Sequence, residues 1–341
     1  MSLLRENQHY RRIATYELEI KRLYEGAVKE ASKMAVGVSL GEKPLKFNNY
    51  PALKTKANRI LSALATDVIG TISAGITEEW AASNAKNDEF VQEFTKGKDL
   101  PPSKLLPLNK RNVEALRAFQ SRKISGLNLS GRVWKQMAQF KQELEMALDL
   151  GIGQGQSAAA ISRDVRPYLN EPEKLFRRVK NKHGNLVLSK NAAAYHPGQG
   201  VYRSSYKNAL RLTRTETNMA YKAADFERWN QLDFVVGIQV IRSNNPYSCD
   251  VCESLIGRYP KDYRFIGNHP NCRCRAVPIF ASDEEFDSML EGENVESINK
   301  IKDVPAGFKG WVKENKEAIK GWKSKPYFLT DNNKYAKDLL L

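Results

Sequence analysis

Apolar residues recur at three- and four-residue steps near the start of the chain: Leu4, Tyr10, Ile13, Tyr16, Ile20, Leu23 and Ala27, set among charged neighbours. That period predicts one long amphipathic helix over residues 4–36. The stretch from Gly41 to Pro51 breaks it. A second helical region is expected from about Ala52 to Lys86, with Ile60, Leu61, Leu64, Val68 and Ile72 on one side, although Gly70 and Gly75 weaken its continuity. Residues 97–111 hold three prolines and read as a linker, which places a soft boundary there. The helical pattern resumes from Val133 to Leu150 with Trp134, Met137, Phe140, Leu144 and Leu148, and Gly151 follows as a C-cap. Ser157 stands where an N-cap belongs, ahead of a short helix through about Tyr168.

Beyond residue 175 the period changes. Phe176–Val179 and Leu186–Leu188 flank Lys182-His183-Gly184-Asn185, the layout of a hairpin. A further helix is expected from about Tyr202 to Trp229, with a stripe of mostly small residues at Leu210, Thr213, Thr217, Ala220 and Ala224. Phe234 to Ile241 is the strongest strand in the chain. The class these elements imply is α+β, mainly helical, with a small antiparallel sheet. The run Gly151-Ile152-Gly153-Gln154-Gly155 is not a nucleotide loop, because no strand precedes it and no P-loop lysine follows. It punctuates two helices.

Composition changes this picture in one respect. Hydrophobic content of 41% and charged content of 27% are those of an ordinary globular chain. Read along the sequence, no uninterrupted apolar run reaches the roughly 18 residues of a membrane span, and the first residues lack a secretory layout. The expected setting is a cytosol, without a membrane partner. The net charge, however, is +15, and it is unevenly spread. Residues 101–135 carry eight Lys/Arg against one acid, whereas residues 281–300 carry seven acids against one lysine. Such blocks suggest separate surfaces for separate partners, and a sequence-blind contact with DNA phosphates is compatible with the basic ones.

All four cysteines fall within residues 249–274. Cys249-x2-Cys252 is followed, sixteen residues on, by His269-x2-Cys272-x-Cys274. Two intervening residues let a pair of ligands point into one turn. Two such turns at compact spacing are the signature of a tetrahedral zinc site built from thiolates and an imidazole. Five donors compete for four positions: Cys272 and Cys274, two apart in an extended segment, share a face, and Cys272 is favoured. Structural Zn2+ is expected rather than catalytic zinc, since no carboxylate stands at hydrolase spacing. Residues 245–278 read as holding few large apolar side chains, so the ion is expected to fold the knuckle. Arg273 and Arg275 alternate with the cysteines and should face solvent or a partner.

Several of these pieces, taken in order, give the stretch from about Gly131 to Phe280 a resemblance to the Mu F-like, minor head-protein family of tailed phages. Trp134 opens a helix leading to Gly151-Ile152-x-x-Gly155-x-Ser157. Arg214-Thr215-Glu216-Thr217-Asn218 lies in the helix before the strand, and Cys249-x2-Cys252 comes after it. His269-Pro270-x-Cys272-Arg273-Cys274, the most specific piece, closes the domain. The resemblance implies a non-enzymatic, low-copy head-morphogenesis protein. It would be made in the host cytoplasm and incorporated into the virion, with the portal protein and the capsid shell as partners. It carries over Arg214, Glu216 and Asn218 only as the motif helix. The implied division is a helical region 1–125, a head-morphogenesis domain 126–280 with the knuckle at 245–278, and a flexible tail 281–341, acidic and then basic-aromatic. Trp311, Trp322, Tyr327 and Phe328 in that tail are candidate anchors for a portal or capsid subunit. Two other classes compete less well. One is a zinc-knuckle nuclease of HNH type, which lacks any histidine after His269 to complete its metal site. The other is a plain nucleic-acid-binding module.

Overall fold

Long helices dominate the computed structural model, which describes residues 3–36, 45–153, 155–170, 177–180, 182–188, 195–198, 200–243, 248–322 and 324–340. The first four residues of the expected Gly41–Pro51 break, Gln154 of the glycine run, Phe176 of the hairpin and Asn245–Tyr247 ahead of the cysteines lie outside these residues. Helix α1 is Leu3–Ser32, as the periodicity predicts, and α2 is Pro51–Phe94, one turn or more longer than expected. Short helices α3 (Pro102–Leu108) and α4 (Val113–Ser121) follow, then α5 (Leu129–Gly153) and α6 (Ala158–Asn170). Strands β1 (Arg177–Lys180) and β2 (Leu186–Leu188) pair antiparallel as the expected hairpin. Helix α7 is Ser205–Gln231. The second sheet has three antiparallel strands, with β3 (Val235–Ile241) between β4 (Gly257–Pro260) and β5 (Arg275–Phe280). Between β3 and β4 lies α8 (Asp250–Ser254). The chain ends in α9 (Asp283–Glu291), α10 (Ala306–Glu314), α11 (Lys316–Gly321), α12 (Tyr327–Thr330) and α13 (Asn333–Leu340).

The chain forms two compact units, and their limits differ from the expected linear division. One comprises residues 1–12, 75–121 and 215–341; the other comprises 13–74 and 122–214. Residues 97–111 are therefore not a boundary, and α3 occupies much of that proline-rich stretch. Linear composition reports turn chemistry, whereas a unit is defined by which helix segments share a core.

In the second unit most of the expected stripe is buried, although Leu23 and Ile60 are only half-buried, and two further expectations are corrected. Ile13, Tyr16, Ile20, Leu61, Leu64, Val68 and Ile72 are buried, as are Met137, Phe140, Leu144 and Leu148. Tyr24 packs its ring against Phe140 and Tyr206. Trp134, expected on the inward stripe, is instead 46% exposed, because one turn of α5 before Met137 the stripe is supplied by Val133. Gly151 does not cap α5, which runs two residues further. A Cβ at Gly151 would lie 2.4 Å from Ile161 Cγ1 of α6, so the glycine permits close packing of the two helices. The Ser157 hydroxyl accepts from the Ala160 amide, as an N-cap should. Helix α2 contains a window with a mean hydropathy of 1.5, long and apolar enough by length and composition to cross a membrane. Its apolar stripe is nevertheless buried within the protein, and its other side presents Ser62, Thr66, Asp67 and Thr77.

The first unit is built on the three-stranded sheet. Phe234, Val235, Ile238 and Val240 share a core with Leu255, Tyr259, Tyr263 and Phe265, and with Val304, Phe308, Val312, Ile319 and Phe328 from the C-terminal helices. This corrects the expectation of a flexible tail. Its polar and aromatic residues alternate at helical spacing, and each short helix buries one or two apolar side chains. Ser282 and Glu285 form a capping box that starts α9. Gly307, at the start of α10, is a point of close approach: a Cβ there would sit 2.3 Å from the Ser254 carbonyl oxygen at the end of α8. Gly307→Ala is expected to cost about 1–3 kcal/mol by overpacking, read as a lower denaturant midpoint at unchanged slope.

Candidate metal centre

Cys249 caps the start of α8, its carbonyl accepting from Glu253, and Cys252 lies in the first turn of that helix. Three residues apart on a helix, the two side chains lie on neighbouring positions of one face. The second pair of donors comes from the turn His269-Pro270-Asn271-Cys272, closed by the Cys272 amide donating to the His269 carbonyl. Asn271 has φ +64°, a left-handed conformation that asparagine tolerates better than most residues. Gly267, with φ +119°, stands where a Cβ would press on Cys272 Cβ at 3.3 Å.

All five predicted donors converge. His269 Nε2 lies 3.3 Å from Cys249 Sγ and 3.2 Å from Cys252 Sγ, and Cys252 Sγ lies 3.8 Å from Cys272 Sγ. The donor atoms of Cys249, Cys252 and His269 are mutually within 4.8 Å, and so are those of Cys252, Cys272 and Cys274. Cys252 is thus common to both triads. A tetrahedral zinc–thiolate centre with bonds of about 2.3 Å has an S···S edge of about 3.8 Å, matching the Cys252–Cys272 separation. The His269 ring is already oriented to bind through Nε2. Its Nδ1 donates to the Pro270 carbonyl at 2.7 Å, which leaves Nε2 toward the sulfurs. This buried cluster of four cysteines and a histidine can hold a metal ion such as zinc.

Among the thiols, Cys272 is the one most readily ionised. Hydrogen bonds from Cys252 and Cys274 draw its pKa well below the ordinary thiol value, and the Lys222 charge adds to them. The hydrogen bond with Cys272 pushes Cys252 upward, and those with Cys252 and then Cys272 push Cys274 upward. His269 is raised, because burial, which would lower it, is outweighed by the Pro270 hydrogen bond and the neighbouring Cys272 and Cys249.

Around the donors stands a shell that the sequence showed only in part. Asn218 of α7 donates to the Cys272 carbonyl at 2.6 Å, and Lys222, one turn on, donates to the same oxygen at 3.2 Å. Thr215 accepts from the Asn271 amide. Positions 215, 218 and 222 form a single helical stripe. Behind Asn218, its Oδ1 meets His9 Nε2 at 3.0 Å, and His9 Nδ1 meets Glu79 at 2.6 Å. Tyr10 donates to the Arg273 carbonyl, and Asn268 donates to Cys252 Sγ. Arg273 is exposed as expected. Arg275 is not directed to solvent or a partner but pairs with Glu6 of α1.

The motif helix divides into three roles. Arg214 pairs with Glu17, Glu216 is fully buried, and Asn218 serves the cluster turn. Of the tail aromatics, Phe328 has no docking role: it is 1% exposed, packed against Phe308 and Trp311. Trp322 is exposed and tilts against the half-buried Trp311, with Tyr327 also half-buried. The expected scarcity of large apolar residues near the cysteines is corrected too, since Leu255, Tyr259, Tyr263 and Phe265 are all buried. Lys222 and Thr215, which face the turn, and His9, which backs Asn218, escaped sequence reasoning because nothing local marks a helix residue as meeting a partner fifty or more positions away. Comparison with protein-family models, with curated proteins and with solved structures finds no match to the chain.

Proposed function

We propose that this chain is a minor head protein of a tailed phage, Mu F-like in type, acting in head morphogenesis as a low-copy structural adaptor held together by a structural Zn2+ ion. One observation carries the reading. The two most specific pieces of the resemblance, the Arg-x-Glu-x-Asn helix and the His-x2-Cys-x-Cys close, are joined by the Asn218–Cys272 hydrogen bond, although they lie 54 residues apart. The helix motif thereby has a physical reason to accompany the cysteine motif. In this reading the zinc pins the turn between α8 and β5, and the protein works by presenting surfaces rather than by chemistry. Its partners are the portal protein and the capsid shell, with non-specific DNA contact through the basic stretches, and its place is the virion after assembly in the host cytoplasm. The Trp311–Trp322 pair and Tyr327 are the portal-facing anchors.

Co-expression with the portal and major capsid proteins of the same phage tests this. The wild type is expected to co-purify with the portal, carrying one zinc, and Trp322→Ala is expected to weaken that association. Absence of portal or shell association would overturn the reading. Cutting of plasmid DNA with magnesium or manganese, lost in His269→Ala, would replace it with the nuclease reading.

A further inference from the structure

Among the described residues, the buried cation beside the cysteine cluster has no carboxylate within ion-pair distance. Lys222 is 6% exposed. Its contacts are the Cys272 carbonyl at 3.2 Å and the face of Phe265, with the ring centroid 5.3 Å away. A buried ammonium without a counter-charge is costly, and proteins rarely tolerate one unpaired. Here the nearest negative charge is cysteine sulfur, with Glu6 of α1 acting more weakly. A Cβ built at Gly267 would lie 3.8 Å from Lys222 Nζ and 3.9 Å from Cys272 Sγ, so both atoms line the space that this glycine leaves open.

Charge balance then discriminates between ligand sets. A zinc ion held by three thiolates and a neutral imidazole carries one net negative charge; four thiolates would leave two. One lysine balances the first and not the second. We infer that Lys222 is the positioning and charge-balancing residue of a three-thiolate, one-imidazole zinc centre, in which its ammonium neutralises the net charge and, with Asn218, fixes Cys272 through its carbonyl. Of the adjacent pair Cys272 and Cys274, only one is then ligated, and Cys272 is the one whose backbone Asn218 and Lys222 hold in place. Cys274 stays outside the ligand set. This rests on the zinc reading above, which supplies the ion but not the ligand count.

Two measurements on the full-length chain test it. X-ray absorption of the zinc-loaded wild type is expected to show three sulfurs and one nitrogen; four sulfurs would overturn the inference while leaving zinc binding intact. Competition with a chromophoric chelator is expected to show a loss of zinc affinity of about 10–100-fold in Lys222→Met. Lys222→Gln, which keeps a donor for the Cys272 carbonyl without the charge, should be as weak, and Lys222→Arg should recover most of the loss. Wild-type affinity in Lys222→Gln would overturn the charge role. Should Lys222→Met fail to fold, the absorption measurement on the wild type decides alone. A wild type that takes up no zinc would instead sink the zinc reading itself.

Discussion

Replacing Cys252 with serine is expected to abolish stoichiometric zinc binding, the largest single effect on the metal centre. Cys252 is the donor shared by both triads, within 4.8 Å of Cys249 and His269 on one side and of Cys272 and Cys274 on the other. No neighbouring thiol can take its place in both. Loss of an outer-shell partner costs about 10–100-fold in metal affinity, and loss of this central donor should exceed that clearly. Cys274→Ser should cost far less, since Cys272 remains. Zinc content after exhaustive dialysis, together with chelator competition, provides the measurement. A Cys252→Ser protein that kept one zinc at wild-type affinity would show that the donors lie elsewhere. The helical far-UV signal is expected to survive in the variant. Tyr259, Tyr263 and Phe265 bury this segment without help from an ion, so a metal held there would order the turn rather than fold the unit.

The second large effect concerns stability. Asp225→Asn is expected to lower it by about 3–5 kcal/mol, out of a total of about 5–15 kcal/mol for a typical domain. Asp225 of α7 accepts from Ser83, Lys86 and Asn87 of α2, and Asn87 in turn accepts from the Trp229 indole. Asparagine retains an acceptor for Ser83 and Asn87. What it removes is the counter-charge of Lys86, which is 2% exposed and lies over the Tyr221 ring. Burial alone would depress the Lys86 pKa; the Asp225 charge outweighs it and holds the value above that of an ordinary lysine. The sign follows: the pair's contribution is complete below the unfolded lysine value and is lost only as pH rises through the higher folded value. The Asp225→Asn deficit should therefore be constant across neutral pH and shrink in strong alkali. Adding Lys86→Met to Asp225→Asn is expected to recover most of the loss, because no uncompensated charge is then left inside. Denaturant titrations of the four proteins in the cycle give the coupling directly. Near-additive effects would mean that the ammonium escapes to solvent in the single variant.

Much of this protein was legible from the chain alone, for reasons of period and spacing. Burial on one face of α1, α2 and α5 imposes a 3.6-residue repeat on the apolar residues, so Ile13, Ile20, Leu64, Val68 and Phe140 announced themselves. A run of β-branched and apolar residues did the same for β3. Ligand convergence was legible because Cys-x2-Cys and His-x2-Cys are short-range constraints: each pair is placed by a single local turn, and only the meeting of the two turns had to be inferred. The sequence could favour Cys272 only slightly over Cys274, since alternation gives both the same face.

Only the tertiary structure decided what surrounds those donors. Asn218 and Lys222 reach Cys272 because α7 lies along the closing turn, and that contact spans 50 residues or more. The tail likewise reads as polar and mobile in one dimension. In three it is a series of short helices, each too brief to hold on its own propensity and each kept in place by a Phe308, Ile319 or Phe328 delivered to a shared core. Local chemistry determined the elements and the donor set, because turns and helical faces are set by near neighbours. The partners of that set, and the unit to which each helix segment belongs, were left to packing between residues distant in the chain, which local spacing does not encode.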